Sequence, residues 1–115
     1  MAKINYVELP VKEVAAAQDF YGKAFGWGFT GYGPDYAAKE DAEVALGLNG
    51  TDDQAIGAVL VLIEVDDLEG ALESVTAAGG SITVPIFAFP GGRRFHFRDP
   101  AGNELGAFVN EPGQH

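Results

Sequence analysis

The sequence predicts an α+β fold in which two βαβββ modules form a curved mixed sheet with a cleft. Three observations carry that expectation. A strand, an amphipathic helix and three short strands follow one another twice within 115 residues. Adding 54 to a position in the first half pairs Val11 with Val65, Val14 with Leu68, Ala17 with Ala71, Tyr21 with Val75, Ala24 with Ala78 and Gly26 with Gly80. These are the buried and helix-ending positions of one supersecondary unit used twice. Strands that arrive three at a time between helices also disfavour a doubly wound parallel sheet, whose elements alternate.

In the first module, Ile4 to Val11 reads as a strand, and Val14, Ala17, Phe20, Tyr21, Ala24 and Phe25 then recur at helical spacing until Gly26. Gly28, Gly31, Gly33 and Pro34 break the next stretch into short strands near Gly28 to Tyr32, Tyr36 to Glu40 and Val44 to Leu48. The polar run Asn49 to Gln54 separates the halves. The second module opens on the β-branched strand Val59 to Val65. Leu68, Ala71, Leu72 and Val75 give its helical stripe, Gly79 and Gly80 cap it, and strands follow near Ser81 to Pro85, Arg93 to Arg98 and Glu104 to Val109.

A chain of this length buries roughly two thirds of the surface its unfolded form exposes, enough for a core without a disulfide or structural metal. One domain over residues 1–115 is expected, with modules at about 3–49 and 55–110. Cysteine is absent, which removes thiol nucleophiles, thiolate metal sites and disulfides. Seven Lys and Arg against 17 Asp and Glu leave a formal charge of −10, so phosphate backbones and anionic lipid are repelled and neither nucleic acid nor membrane is an expected partner. A cationic guest is attracted by the same charge, which equally serves solubility. Met1 to Lys3 run straight into the first strand with no room for an export signal. The longest apolar run, Ala55 to Ile63, is far short of the roughly 20 residues of a membrane span. A cytoplasmic protein is expected.

The words VELPVKEVAAAQDFYGKAFGW, IEVDDLEGALESVTAAGG and FPGGRRFHFRDPAGNELGAF resemble the vicinal oxygen chelate superfamily, the glyoxalase/bleomycin resistance/dioxygenase family. The likeness spans nearly the whole chain. Its most specific parts are FY followed by FGW, and DPAGN before the last strand. The resemblance implies a metal held by His, Gln or Glu side chains on cleft-facing strands, two from each half. Carried over position by position, those ligands fall at Tyr6, Ala45, Leu60 and Gly106. The nearest substitute is Glu104, two residues off on the same strand face. The metal site is therefore expected to be missing, and with it Lewis-acid polarisation of a substrate oxygen.

Strand alternation puts Tyr6, Glu8 and Pro10 on one face, with Leu60, Leu62 and Glu64 in matching register, while Val7, Leu9, Val59, Val61 and Ile63 face the helices. If family geometry holds, Tyr6, Glu8, Leu60, Leu62, Arg94, His96 and Phe108 line the ligand site. Glu8 and His96 are the catalytic candidates. A glutamate in an apolar groove has a perturbed pKa and serves as base or acceptor; the alternative is a solvated strand position paired with an arginine. Arg94 and His96 share a face suited to an anionic or carbonyl group, or else belong to a surface hairpin in which Arg93, Arg94, His96 and Arg98 alternate with buried Phe95 and Phe97. Phe20, Tyr21, Phe25 and Trp27 read as core packing rather than a stacking platform. Phe87 and Phe89, in the segment Pro85 to Gly92, read as a loop acting as lid or dimer contact. His115 is expected to be disordered.

The function implied is small-molecule binding without metal or cofactor, by sequestration as in bleomycin resistance proteins, in a homodimer. The alternative is a glyoxalase-type lyase or isomerase using Glu8 and His96 as acid and base, or a metal ligand borrowed across a dimer. A stoichiometric divalent ion discriminates between the two.

Overall fold

The computed structural model describes residues 2–51, 58–89 and 91–111. They group into two compact units, one within residues 5–60 and the other made of residues 61–111 with residues 2–4. Residues 52–54 of the run expected to separate the halves, and His115, lie outside the described residues.

In the first unit, β1 (Lys3–Pro10) leads to α1 (Val14–Phe25), then β2 (Thr30–Gly31), β3 (Tyr36–Lys39) and β4 (Ala45–Asn49). These strands lie in the order β2-β3-β4-β1, with β1 parallel to β4 and the other pairs antiparallel. Val14, Ala17 and Tyr21, spaced three and four apart, put one stripe of α1 onto Leu9, Val11, Phe29, Ala37 and Leu48. Gly26 ends the helix at φ 73°, a left-handed conformation that side-chain-bearing residues rarely adopt, and donates its N–H to Gly22 at 2.8 Å.

The second unit repeats the plan with β5 (Leu60–Glu64), α2 (Leu68–Ala77), β6 (Ser81–Phe89), β7 (Gly92–Arg98) and β8 (Glu104–Asn110). Its strands run in the order β5-β8-β7-β6, again with the first and last strands parallel. Asp67 caps α2 by accepting from the Gly70 N–H at 3.1 Å. Leu68, Phe95, Phe97, Ala107 and Val109 form the buried centre, flanked by Ile63, Ala71, Leu72, Val75 and Ile82. The DPAGN turn sets the register of β7 against β8. Asp99 accepts from the Ala101 and Asn103 N–H groups at 3.0 and 2.9 Å, and these and other bonds, led by the Asn103 side chain, hold its carboxyl below the usual range.

The structure corrects one expectation here. The stretch from Pro85 to Phe89 is a strand and not a loop, because β6 continues to Phe89. Pro85 has no N–H to give, which an edge strand tolerates, and the register shifts between Val84 and Phe87 carry it past the ladder.

Phe95 is fully enclosed at the centre of the second unit's core. Phe95→Ala is expected to cost about 3 to 5 kcal/mol of unfolding free energy, read as a lower midpoint in urea melts.

Candidate functional site

On the sheet face opposite α1, Tyr6 and Glu8 alternate outward from β1 while Leu9 and Val11 turn toward the helix. Register places Glu8 beside Gly47 and Tyr36 beside Asn49. Glu8 is only 1% exposed. A carboxylate so deep is stable only if its oxygens are satisfied. Tyr36 Oη donates to Glu8 Oε2 at 2.9 Å, and Asn49 Nδ2 donates to Oε1 at 3.0 Å. Asn49 is fixed in turn, its Oδ1 accepting from the Thr51 N–H at 2.9 Å and the Thr51 hydroxyl at 2.7 Å. Tyr6 Oη lies 2.6 Å from Tyr36 Oη. Burial first, and then the charge of Glu8, push the Tyr36 phenol well above its ordinary value. A Cβ at Gly47 would stand 2.1 Å from Tyr36 Oη and 2.7 Å from Tyr6 Oη, so only glycine leaves the two hydroxyls their meeting place.

On the face of the second unit opposite α2, β7 carries Arg94 and His96, beside Phe108 and Gly106 of β8. Both polar side chains are nearly enclosed, Arg94 at 6% and His96 at 5% exposure, which rules out the surface-hairpin reading. The Arg94 guanidinium sits 5.3 Å from the Phe87 ring centroid and 5.7 Å from that of Phe89. Such cation–ring contacts are worth most where water is excluded. Phe87 also meets the His96 ring edge-on at 5.7 Å. Thus Phe87 and Phe89 flank Arg94 from the neighbouring strand. His96 Nδ1 lies 4.0 Å from Glu104 Oε2, which accepts from the Thr83 hydroxyl at 2.7 Å. Leu62 packs into the space a Cβ at Gly106 would need, 2.4 Å from its Cδ2. Arg93 points the other way, clasping Glu111 through two nitrogens at 2.7 and 2.9 Å and reaching Glu69 at the start of α2.

Within each unit the expected residues therefore come together, Tyr6 with Glu8 in one, and Leu62, Arg94, His96 and Phe108 in the other. Leu60 is buried. The sequence reading missed Tyr36, Gly47 and Asn49. Their signal was the period of two, which puts Tyr36, Gly47 and Asn49 on the face of Glu8 once the strands are paired. Asn49 had been assigned to a linker, yet it closes β4 and is buried. The aromatic group of α1 is also corrected. Phe20 and Phe25 are each 61% exposed, and only Tyr21 joins the core, because Phe20 lies a residue off the Val14–Ala17–Tyr21 stripe and Phe25 precedes the terminating Gly26.

Residues 3–106 match the family model of the Glyoxalase/Bleomycin resistance protein/Dioxygenase superfamily. The chain belongs to this superfamily. A Mycobacterium bovis protein named "Putative glyoxylase CFP32" is 28% identical over 123 residues, which cover 89% of this chain and 43% of that protein. The chain thus spans less than half the length of this curated relative. Among solved structures, a glyoxalase/bleomycin resistance protein/dioxygenase superfamily member from Vibrio splendidus 12B01 superposes with a TM-score of 0.72 at 17% identity, over 96% of this chain and all of that one. The Mn(II)-bound glyoxalase from Novosphingobium aromaticivorans gives 0.69 at 22% identity, over 97% of this chain and 41% of its own. These likenesses show the shared fold.

The residues that the resemblance sets at the superfamily's metal positions carry no side chains suited to such an ion. Tyr6 offers a phenol already bonded to Tyr36, Ala45 and Leu60 offer hydrocarbon, and Gly106 has no side chain. Among the described residues, no three His, Asp or Glu side chains gather as a metal site would require. No described helix is long and apolar enough to cross a membrane.

Gly47→Ala is expected to part Tyr6 from Tyr36 and to loosen Tyr36 from Glu8, at a cost of about 1 to 3 kcal/mol. Urea melts read the cost, and the near-ultraviolet tyrosine absorbance reads the altered hydroxyl environment.

Proposed function

We propose that this superfamily member binds a small molecule without a metal, on the sheet faces opposite its helices, and acts by sequestration. The observation that carries the reading is Arg94, a cation held nearly out of water between two phenylalanine rings, with His96 on the next outward position of β7. A guanidinium presents N–H donors in a planar fork, which suits an anionic or carbonyl group. Phe108 and Leu62 supply apolar surface beside it. The side chains at Tyr6, Ala45, Leu60 and Gly106 support the metal-free part of the proposal. Cytoplasmic residence, a single cooperative domain and a homodimer complete it.

A second reading, a glyoxalase-type lyase or isomerase, is favoured by the Mycobacterium relative named as a glyoxylase, which aligns with 89% of this chain. In that reading His96 is the acid or base on the face of the second unit. Glu8 acts through Tyr36, since its own oxygens are enclosed.

Phenylacetate serves as a probe anion for the Arg94 face. Arg94→Ala is expected to weaken its binding about 10- to 100-fold in calorimetric titration, because a charge-assisted hydrogen bond is lost. Equal affinity in the variant removes Arg94 from the site. Elemental analysis of the purified protein is expected to find no stoichiometric zinc, nickel, iron or manganese; about one equivalent per chain would favour the lyase reading. Light scattering on a sizing column is expected to give twice the chain mass. A monomer at micromolar concentration sinks the dimer.

A further inference from the structure

We infer that Asn49 with Gly50 is a site of spontaneous deamidation which the closed first unit shields, and that conversion there makes opening of the unit a one-way event. The reaction is a hydrolysis and needs only water. It is independent of what the sheet faces bind.

The sequence supplies the liability, and the fold supplies both a reason for it and a guard. Asparagine before glycine is the pair in which a backbone nitrogen most easily reaches the side-chain amide of the preceding residue, because glycine has no side chain to obstruct the approach. Asn5, Asn103 and Asn110 precede Tyr, Glu and Glu, and only Asn49 precedes a glycine. Packing favours both members of the pair. Asn49 Nδ2 donates to Glu8, and a Cβ at Gly50 would crowd Val14 Cγ2 at 3.0 Å, at the head of the buried stripe of α1. In the closed unit the Gly50 N–H donates to the Asp35 carbonyl at 2.8 Å, and the Asn49 carbonyl accepts from the Val11 N–H at 3.0 Å. The attacking nitrogen is thus committed elsewhere. Its target is 5% exposed and held at both ends, the oxygen by Thr51 and the nitrogen by Glu8.

Local opening frees both groups. The Gly50 nitrogen gives its proton to water and bonds to Asn49 Cγ, the bond from Cγ to the amide nitrogen breaks, and that nitrogen leaves as ammonia to close a cyclic imide. Water then opens the ring at either carbonyl, giving aspartate or isoaspartate. In sum one water is consumed and one ammonia released. Neither product suits the closed unit. Aspartate sets a second carboxylate where Asn49 Nδ2 stood 3.0 Å from Glu8 Oε1, and two like charges at that depth repel. Isoaspartate carries the main chain through the former side chain at the end of β4, where Asn49 is paired with both Pro10 and Tyr36, and so displaces the bonds to Val11 and Asp35.

The test incubates the whole protein in mildly alkaline buffer, with and without urea, and follows each asparagine by peptide mapping in a mass spectrometer. In the unfolded chain Asn49 is expected to convert ahead of Asn5, Asn103 and Asn110. In native buffer its rate is expected to fall at least about a hundredfold, since the closed unit reacts only through rare openings. Chains converted in urea and then diluted are expected to melt at lower urea than their unconverted neighbours. Asn49→Asp, made directly, is expected to lower the folding equilibrium constant at least about tenfold, and adding Glu8→Gln to restore part of it, because the facing charge is gone. Native conversion as fast as in urea, earlier conversion at another asparagine, or parental stability in Asn49→Asp each overturns the inference. Where Asn49→Asp does not fold at all, the double variant decides: no recovery with Glu8→Gln overturns the repulsion on which the one-way step depends.

Discussion

Burying the carboxylate of Glu8 is the constraint around which the first half is arranged. An ionised group at that depth costs several kcal/mol unless its oxygens are paired. Each pairing imposes a further requirement. Tyr36 must start β3 on the correct face, and Asn49 must end β4 one strand away, which the register Tyr36↔Asn49 provides. Thr51 must then orient the Asn49 amide so that its nitrogen and not its oxygen meets Glu8. Gly47 has no side chain because the tyrosine hydroxyls occupy the room above it. A residue that a propensity scale would place at the surface has thereby fixed the identity of much of one sheet face.

The second half solves the same geometry with different chemistry. Glu8 faces Gly47 across a parallel strand pair, and Leu62 faces Gly106 across the equivalent pair. Each glycine leaves space on the face away from its helix. In the first unit two hydroxyls occupy it, in the second an isobutyl group and the edge of His96. The polar duty moves to β7, where the Arg94 guanidinium lies over the rings of Phe87 and Phe89 of β6. One half thus buries an anion among hydrogen-bond donors, and the other buries a cation beside aromatic faces.

The parts of the fold legible in the sequence were those governed by local rules. Helical stripes, the glycines after each helix and the DPAGN turn act over a few residues, and the 54-residue offset doubles every such signal. The site was half legible. Alternation placed Tyr6, Glu8, Arg94 and His96 on outward faces, but a period of two says nothing about what the opposite strand contributes. Tyr36 and Asn49 became partners of Glu8 only through strand pairing. Pro85 misled for a related reason. Proline is a local break signal, and its tolerance in β6 depends on that strand lying at an edge, a property of the assembled sheet. The aromatics of α1 failed differently: apolar residues at near-helical spacing need not all lie on the covered stripe, and Phe20 sits beside it.

The pattern of repetition also bears on where function can be sought. The offset pairs residues that face the helices, Val14 with Leu68 and Ala17 with Ala71, because both halves must bury a helix in the same way. On the opposite faces the same offset pairs Tyr6 with Leu60 and Glu8 with Leu62, a phenol and a carboxylate against two isobutyl groups. Packing holds the first set alike, and nothing in packing demands the second set differ. A carboxylate with a two-tyrosine chain costs more to bury than the leucine its counterpart uses, so stability alone does not account for it. The change from hydrocarbon to a charged or hydrogen-bonding group lies on the faces away from the helices.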